Sequence, residues 1–447
     1  MSTSKALNLT YRNVFSQSWP IMLANAAAPI VGLVDTLVIG RFSSTTALAG
    51  IGLGAVIYGI AYWGFGFLRM STAGLAAQSF GAERYSEVQA HLARAIPLGI
   101  LIGLGIFIMQ IPLLNGALLV FSGTPDTESS ASIYIQARIW GLPATLASIA
   151  LMGWFVGISR SSLALKMQIA LNAVNIILSP IFVIQFGWGL WGVGIASAIA
   201  EWFGLIVGLW LAHSEIIKQG GLIKKAFSID SLLDAPSIKK LGVTNSNIFI
   251  RTMCLTVGFS FFGNAAAAQG IIFLASYHIL MQFITMIALV LDAFAHTAEA
   301  FVGSAYGAKN LQNFDKSVKL TTDFSIIFAF ILSFVIFILG PFAIEFLSTD
   351  ENVISTANRY LPYCALTPII GFAAWQLDGI FIGTTSTREM RNAGIVAVII
   401  YILAHYLITI KLEKDGIWIS FLIYYLARAF TLSYYYPSIR KRIYSSL

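Results

Sequence analysis

Apolar residues along this chain come in long unbroken runs with short polar interruptions. AIPLGILIGLGIFIMQIPLLNGALLVF (95–121) and TTDFSIIFAFILSFVIFILGPFAIEFL (321–347) are two of them. Each exceeds the roughly 20 residues that a helix needs to cross about 30 Å of hydrocarbon, and neither alternates as the strands of a membrane barrel do. The pattern predicts about twelve helical spans, near 13–40, 48–78, 92–121, 129–158, 163–186, 189–213, 238–265, 270–303, 317–347, 352–384, 390–411 and 416–434. The expected fold class is an all-α polytopic membrane protein.

Composition agrees: 57% of residues are hydrophobic, 11% are charged, and the mean hydropathy is +0.80. A soluble domain has about 25% charged residues. The start, MSTSKALNLTYRNVF, lacks the short apolar stretch and small-residue cleavage site of a removable leader, so the first helix is expected to stay. Cys254 and Cys364 both fall in apolar segments and read as packing residues, too few for a disulfide framework or a zinc site.

Basic residues sort by loop. Lys5, Arg12, Arg84, Arg94, Arg160, Lys166, Lys218, Lys224, Lys225, Lys239, Lys240, Lys309, Lys316, Lys319, Arg388, Arg391, Arg440, Lys441 and Arg442 lie at the ends or on every second loop, against Arg41, Lys411 and Lys414 opposite. The positive-inside rule then puts both termini in the cytoplasm. Insertion topology accounts for the net charge of +7 without a nucleic-acid partner.

The chain also repeats itself. SFGAERYSEV (79–88) resembles AYGAKNLQNF (305–314), FVGISRSS (155–162) resembles FIGTTSTR (381–388), and Tyr134 matches Tyr360, all at an offset of about 226 residues. Six spans per half is an even number, which implies two parallel, pseudo-symmetric six-helix bundles. The expected domains are an N-lobe (1–213), a cytoplasmic linker (214–237) and a C-lobe (238–447).

Charges inside the spans carry the functional argument, since each costs about 2.5–3.5 kcal/mol on insertion scales. They are Asp35, Arg69, Arg138, Glu201, Arg251, Asp292, His296, Glu299, Arg359, Asp378, His405 and Arg428. The repeat pairs Glu201 with Arg428, but sets Phe261 opposite Asp35. A carboxylate present in one half only suits the loading and release of a proton, because burial penalises its charged form. The bland alternative pairs Asp35 with Arg41 or lets it reach the membrane interface. On the fifth span Asn175 and Ser179 stand four residues apart on one face, and Ser197 lies on the sixth; they line either a cavity near Asp35 or a helix seam. Pro20 and Pro29 each remove a backbone donor from the first helix and mark places where it would bend.

In the C-lobe, Asp292, His296 and Glu299 share a helix face, and Arg251 and Asp378 are of opposite sign. A structural polar network over Arg251, Asp292, His296, Glu299 and Asp378 is the expected reading. A resident metal is not expected, for want of HExxH or a second ligand pair. Neither GxSxG nor HExxH is present, which argues against an intramembrane enzyme.

GLVDTLVIG in the first helix, GLAAQSFGA, FVGISRSS, NIILS, the segment from FIRTMCLT to AEAFVGSAYGA, and LDGIFIGTTSTREMRNA resemble the multidrug and toxic compound extrusion (MATE) family, in its DinF-like branch. The resemblance covers nearly the whole chain. It implies twelve helices in two lobes about a V-shaped cleft, and export of organic-cation or other amphipathic drugs against inward H+ or Na+ flow. By position it makes Asp35 the coupling carboxylate, Pro20 the hinge of the first helix, and Asn175 and Ser197 parts of an N-lobe cavity. The usual second acid of the fifth helix is Ser179 here, which disfavours a Na+ site in that lobe. Asp378 matches an acid of the tenth helix in the NorM branch, without that branch's partner on the seventh.

The sequence therefore reads as a proton-coupled drug antiporter that works by alternating access, with Asp35 protonated, no cofactor beyond the coupling ion, and a monomeric state in the bilayer. The alternatives are Na+ coupling through C-lobe acids and a flippase for a lipid-linked substrate.

Overall fold

Helix formers and apolar side chains fill every long segment, and the backbone polar groups that lipid cannot satisfy are bonded within helices. The computed structural model describes residues 9–121, 123–218 and 234–444, without the side chains of residues 61 and 62. Lys5, Lys224, Lys225 and most of the expected linker lie outside the described residues. In the described residues there are helices and no strands.

The helices are α1 (Tyr11–Ala27), α2 (Ile30–Phe42), α3 (Thr45–Gly64), α4 (Phe67–Gly81), α5 (Tyr85–Ile108), α6 (Gln110–Val120), α7 (Pro125–Arg138), α8 (Leu142–Gly157), α9 (Ser161–Pro180), α10 (Gly189–Lys218), α11 (Ala235–Ala267), α12 (Ile271–Gly307), α13 (Leu311–Leu347), α14 (Glu351–Gly383) and α15 (Thr387–Tyr444). Ten helical stretches among the described residues are long and apolar enough to cross a membrane. The last of them is two helices joined at Glu413, whose φ of 43° is not helical. With α3 and α4 taken as one broken pass, the twelve expected spans are accounted for. The chain is a multi-pass, all-α membrane protein.

Two compact units divide it, one from Trp19 to Lys240 and the other formed by residues up to Ser18 together with Leu241–Leu447. These edges differ from the expected 1–213, 214–237 and 238–447. Helix α10 runs on to Lys218, and the first residues of α1 pack with the later unit. There Tyr11 donates to Asp323 at 2.8 Å, Ser18 and Thr297 share a hydrogen bond of 2.7 Å, and Phe15 stacks on Phe324. The end of α1 belongs to the earlier unit, where the Ala27 carbonyl accepts from Asn172 at 2.7 Å. The division falls beside Pro20. Helix α1 nevertheless continues through Pro20, and its interruption lies at 28–29, before Ile30.

The repeat is built into the backbone. Glu83, Ser159, Lys309 and Thr385 all have φ between 50° and 58°, in the left-handed region, which a residue with a Cβ enters only at a cost. Each follows a helix end closed by the same two bonds. Arg84 and Glu83 donate to the carbonyls of Ser79 and Phe80, and Asn310 and Lys309 donate to those of Ala305 and Tyr306. Glycine spacing is duplicated as well. A Cβ on Gly153 would stand 2.2 Å from the Arg69 carbonyl oxygen, and one on Gly379 would stand 2.2 Å from that of Ala295. Gly157 and Gly383, four residues on, meet Ala73 and Glu299 at 2.5 and 2.6 Å. Each half thus uses a GxxxG step to bring two helix backbones together.

In the earlier unit the core centres on Trp154, Phe155, Leu151 and Met167, and the Trp154 indole donates to the Val88 carbonyl at 2.9 Å. In the later unit it is aromatic, with Phe262 stacked on Phe421 at 4.0 Å beside Trp418, Tyr424 and Tyr425. Cys364 is buried in it and Cys254 half-buried, both as free thiols.

Candidate functional site

The buried residues of α2 are Val31, Asp35, Val38 and Ile39, one helical face. Leu33 and Leu37 point outward, 64% and 50% exposed. The helix therefore turns its only carboxylate inward and its leucines out, and Asp35 is fully buried. Arg41 is exposed and does not hold it.

Three neutral donors do. Asn175 Nδ2 and Ser179 Oγ approach Asp35 Oδ1 at 3.3 and 3.1 Å, and Ser197 Oγ donates to Oδ2 at 2.9 Å. Asn175 and Ser179 lie one turn apart on α9, and Ser197 faces them from α10. Asn175 Nδ2 also reaches Ser179 Oγ at 3.2 Å and Ser197 Oγ at 3.0 Å, so the amide ties the cluster together.

Beyond Asp35 lies a second layer that the sequence reading did not assemble. Arg138, at the end of α7, sets Nη1 3.8 Å from Asp35 Oδ2 and Nη2 3.6 Å from Glu201 Oε1. Its guanidinium lies 4.4 Å from the centre of the Tyr58 ring, in the range of a cation–π contact, and donates to the Tyr134 hydroxyl. Tyr58 OH in turn donates to Glu201 at 3.2–3.3 Å and stands 3.2 Å from Thr145 Oγ1. Room for Glu201 comes from Gly141, where a Cβ would lie 2.0 Å from Oε2. The signal for this layer was spacing. Ser197 and Glu201 are four residues apart on α10, and Tyr134 and Arg138 four apart on α7.

In the later unit the expected pair forms and gains a member. Arg251 and Arg428 both donate to Asp378 Oδ2, the second at 2.7 Å, and Arg428 lies against the rings of Tyr424 and Tyr425 at 5.8 and 5.4 Å. The ion-pair cluster is Arg251, Asp378 and Arg428. Of the other expected network members, Glu299 is buried and Asp292 and His296 are half-buried on α12, each with interactions of its own. Among the described residues no three His, Cys, Asp or Glu side chains gather as a metal ion would need.

The repeat also locates what replaces the Asp35 cluster. At an offset of about 226 residues, Asp35, Asn175 and Ser179 correspond to Phe261, Tyr401 and His405. Those three also meet, as rings: Phe261 stands edge-on to Tyr401 at 5.4 Å and to His405 at 4.8 Å. One half has a polar cluster about a carboxylate; the other has aromatic packing in its place.

The MatE family model matches residues 20–181 and 248–407. DNA damage-inducible protein F of Escherichia coli (strain K12) is 29% identical over 419 residues, 93% of this chain and 89% of that protein. A probable multidrug resistance protein NorM of Acinetobacter baylyi is 23% identical, with 92% of each chain covered. Among solved structures, the Vibrio cholerae MATE transporter VcmN in its bent form matches with a TM-score of 0.83, 97% of each chain covered and 16% identity. That likeness is one of fold, and at this identity the two are different proteins. An outward-facing multidrug resistance MATE family transporter of the MOP superfamily has a TM-score of 0.81 at 16% identity, over 100% of this chain and 99% of that one.

Proposed function

The chain belongs to the MatE family, and from that premise we propose that it is a proton-coupled antiporter that exports organic-cation or amphipathic drugs across a bacterial inner membrane, with both termini cytoplasmic and Asp35 as the exchange site. The observation that carries this reading is a fully buried carboxylate held by Asn175, Ser179 and Ser197. Three neutral donors favour the ionised form, and burial favours the protonated one. Such a balance lets a change of pH or the approach of a cationic drug shift the occupancy.

Ionised Asp35 attracts a cation, and protonation removes that attraction, so drug and proton exclude one another at one carboxylate. Exclusion of this kind is the minimum an antiporter needs, and alternating access then turns it into exchange. Two features support H+ over Na+. Ser179 leaves α9 without an acid beside Asp35, and the Arg138 guanidinium already stands 3.8 Å away, where it repels a bare ion seated on the carboxylate more strongly than a bulky cation whose charge stays further off.

The test is Asp35→Asn in liposomes carrying a pH gradient, with and without Na+. The amide keeps the shape of the protonated acid but cannot titrate. Drug efflux should fall to background with the melting temperature unchanged within a few degrees. Wild-type efflux driven by Na+ alone, or normal efflux by the variant, would refute the reading.

A further inference from the structure

Arg138 sits between two buried carboxylates and closes a hydrogen bond to neither. Its distances to Asp35 and Glu201, 3.8 and 3.6 Å, are too long for one yet short enough for strong attraction in a site shielded from water. The ring of Tyr58 supports the flat face of the guanidinium, and the hydroxyl of the same residue holds Glu201. The cation is held from beneath by that ring and from one side by the Tyr134 hydroxyl, with both carboxylates a short lean away. The titratable and charged groups that face it are Asp35 from α2, Tyr58 from α3, Tyr134 from α7 and Glu201 from α10. Thr145 of α8 bonds to Tyr58, and Asn175 and Ser179 of α9 bond to Asp35; all three are neutral.

Two carboxylates and one guanidinium carry one net negative charge, which a single proton cancels. Asp35 and Glu201 are not equivalent recipients. When Asp35 is neutralised, no second carboxylate competes for Arg138: Nη2 closes onto Glu201, which Tyr58 already holds in place, while Nη1 stays on Tyr134, and the result is a neutral pair. When Asp35 is ionised, the guanidinium is drawn back to a shared position. We propose that Arg138 is the shared counter-charge of a two-carboxylate exchange site and moves onto Glu201 when Asp35 takes the proton, so that Glu201 stays ionised and one proton is exchanged per cycle. This rests on Asp35 being the exchange site. It adds a specificity device, because the built-in cation takes the charge-balancing place that an alkali ion would otherwise fill.

The experiment is drug-evoked proton release from purified protein in nanodiscs, recorded against pH for wild type, Glu201→Gln, Arg138→Gln and the double variant. Glu201→Gln leaves Arg138 to Asp35 alone, so the midpoint moves to lower pH by about one unit, with one proton per drug retained. Arg138→Gln strips the cation from both acids, and the midpoint moves to higher pH by about as much. The double variant, which removes one charge of each sign, returns towards wild type and keeps the test open if Arg138→Gln alone folds poorly. Midpoints that stay fixed, shifts of one sign in both single variants, or loss of the proton in Glu201→Gln overturn the proposal. Asp35→Asn separates the levels. Proton release that survives it refutes the exchange site itself, whereas silence there with unmoved midpoints elsewhere refutes only the role of Arg138.

Discussion

Ser197 Oγ stands 2.9 Å from Asp35 Oδ2, across 162 residues of chain. It is the shortest of the three donor contacts to that carboxylate. A hydrogen bond to a charged group contributes about 1.5–3 kcal/mol, and Ser197→Ala removes it. Drug-evoked proton release from the purified variant should then require a higher pH than in wild type. Ser197→Thr keeps the hydroxyl and should behave as wild type. An unchanged pH profile in Ser197→Ala would show that this donor does not support the ionised form.

The Asp35 cluster was partly legible in the sequence. The i, i+4 spacing of Asn175 and Ser179, the lone charge in GLVDTLVIG and the phenylalanine at position 261 each pointed to it. Arg138 and Glu201 stood out as charges within spans but were not joined to Asp35. Their meeting depends on how α7 and α10 rotate against α2, which no single helical period contains. The twelve passes were legible because hydrophobic length dictates them. The interruption at 28–29 was not, because two prolines in one helix look alike until packing singles one out. The edges of the units were hidden for a related reason: the allegiance of the first turns of α1 is fixed by Tyr11, Phe15 and Ser18, whose partners lie about 300 residues away.

Asp378 holds two guanidiniums on one oxygen, so Asp378→Asn leaves both Arg251 and Arg428 without their carboxylate. Removing one member of a buried ion pair costs about 3–5 kcal/mol. The variant should lose thermal stability before it loses transport in the fraction that stays folded. Arg251→Gln alone should be mild, since Arg428 keeps the contact. Adding Arg251→Gln to Asp378→Asn should recover only part of the stability, and adding Arg428→Gln as well should recover more. A fully folded but inactive Asp378→Asn protein would instead make Asp378 part of the transport chemistry.

The paired glycines offer a test of the duplicated packing. Gly153→Ala and Gly379→Ala each drive a methyl to 2.2 Å from a backbone oxygen, where no flexible side chain can yield. Overpacking of this kind costs about 1–3 kcal/mol. Both variants should lower the melting temperature by similar amounts. A variant with wild-type stability in either half would show that the two helix pairs do not approach as closely as described.

Pro20 stands at the edge of the two units inside a continuous helix. Pro20→Ala restores the missing donor and stiffens α1 at that point. If the helix bends there during the cycle, transport should fall several-fold while drug binding at equilibrium is retained. Labelling of a cysteine placed in α1, read with and without a pH gradient, checks this directly. Transport and labelling both unchanged would move the hinge to the interruption at 28–29.

The shared turns and glycines, set against the carboxylate cluster of one half and the rings of the other, bear on the duplication that produced the chain. The two halves kept a common scaffold, while only the first has a carboxylate at the position of Asp35, where the second has Phe261. With Asp35 as the exchange site, the first half is the motor copy and the second the ballast copy, and the two are not interchangeable. A tandem made from two first halves would carry Asp35, Arg138 and Glu201 twice and take up two protons per turnover, and one made from two second halves would carry none.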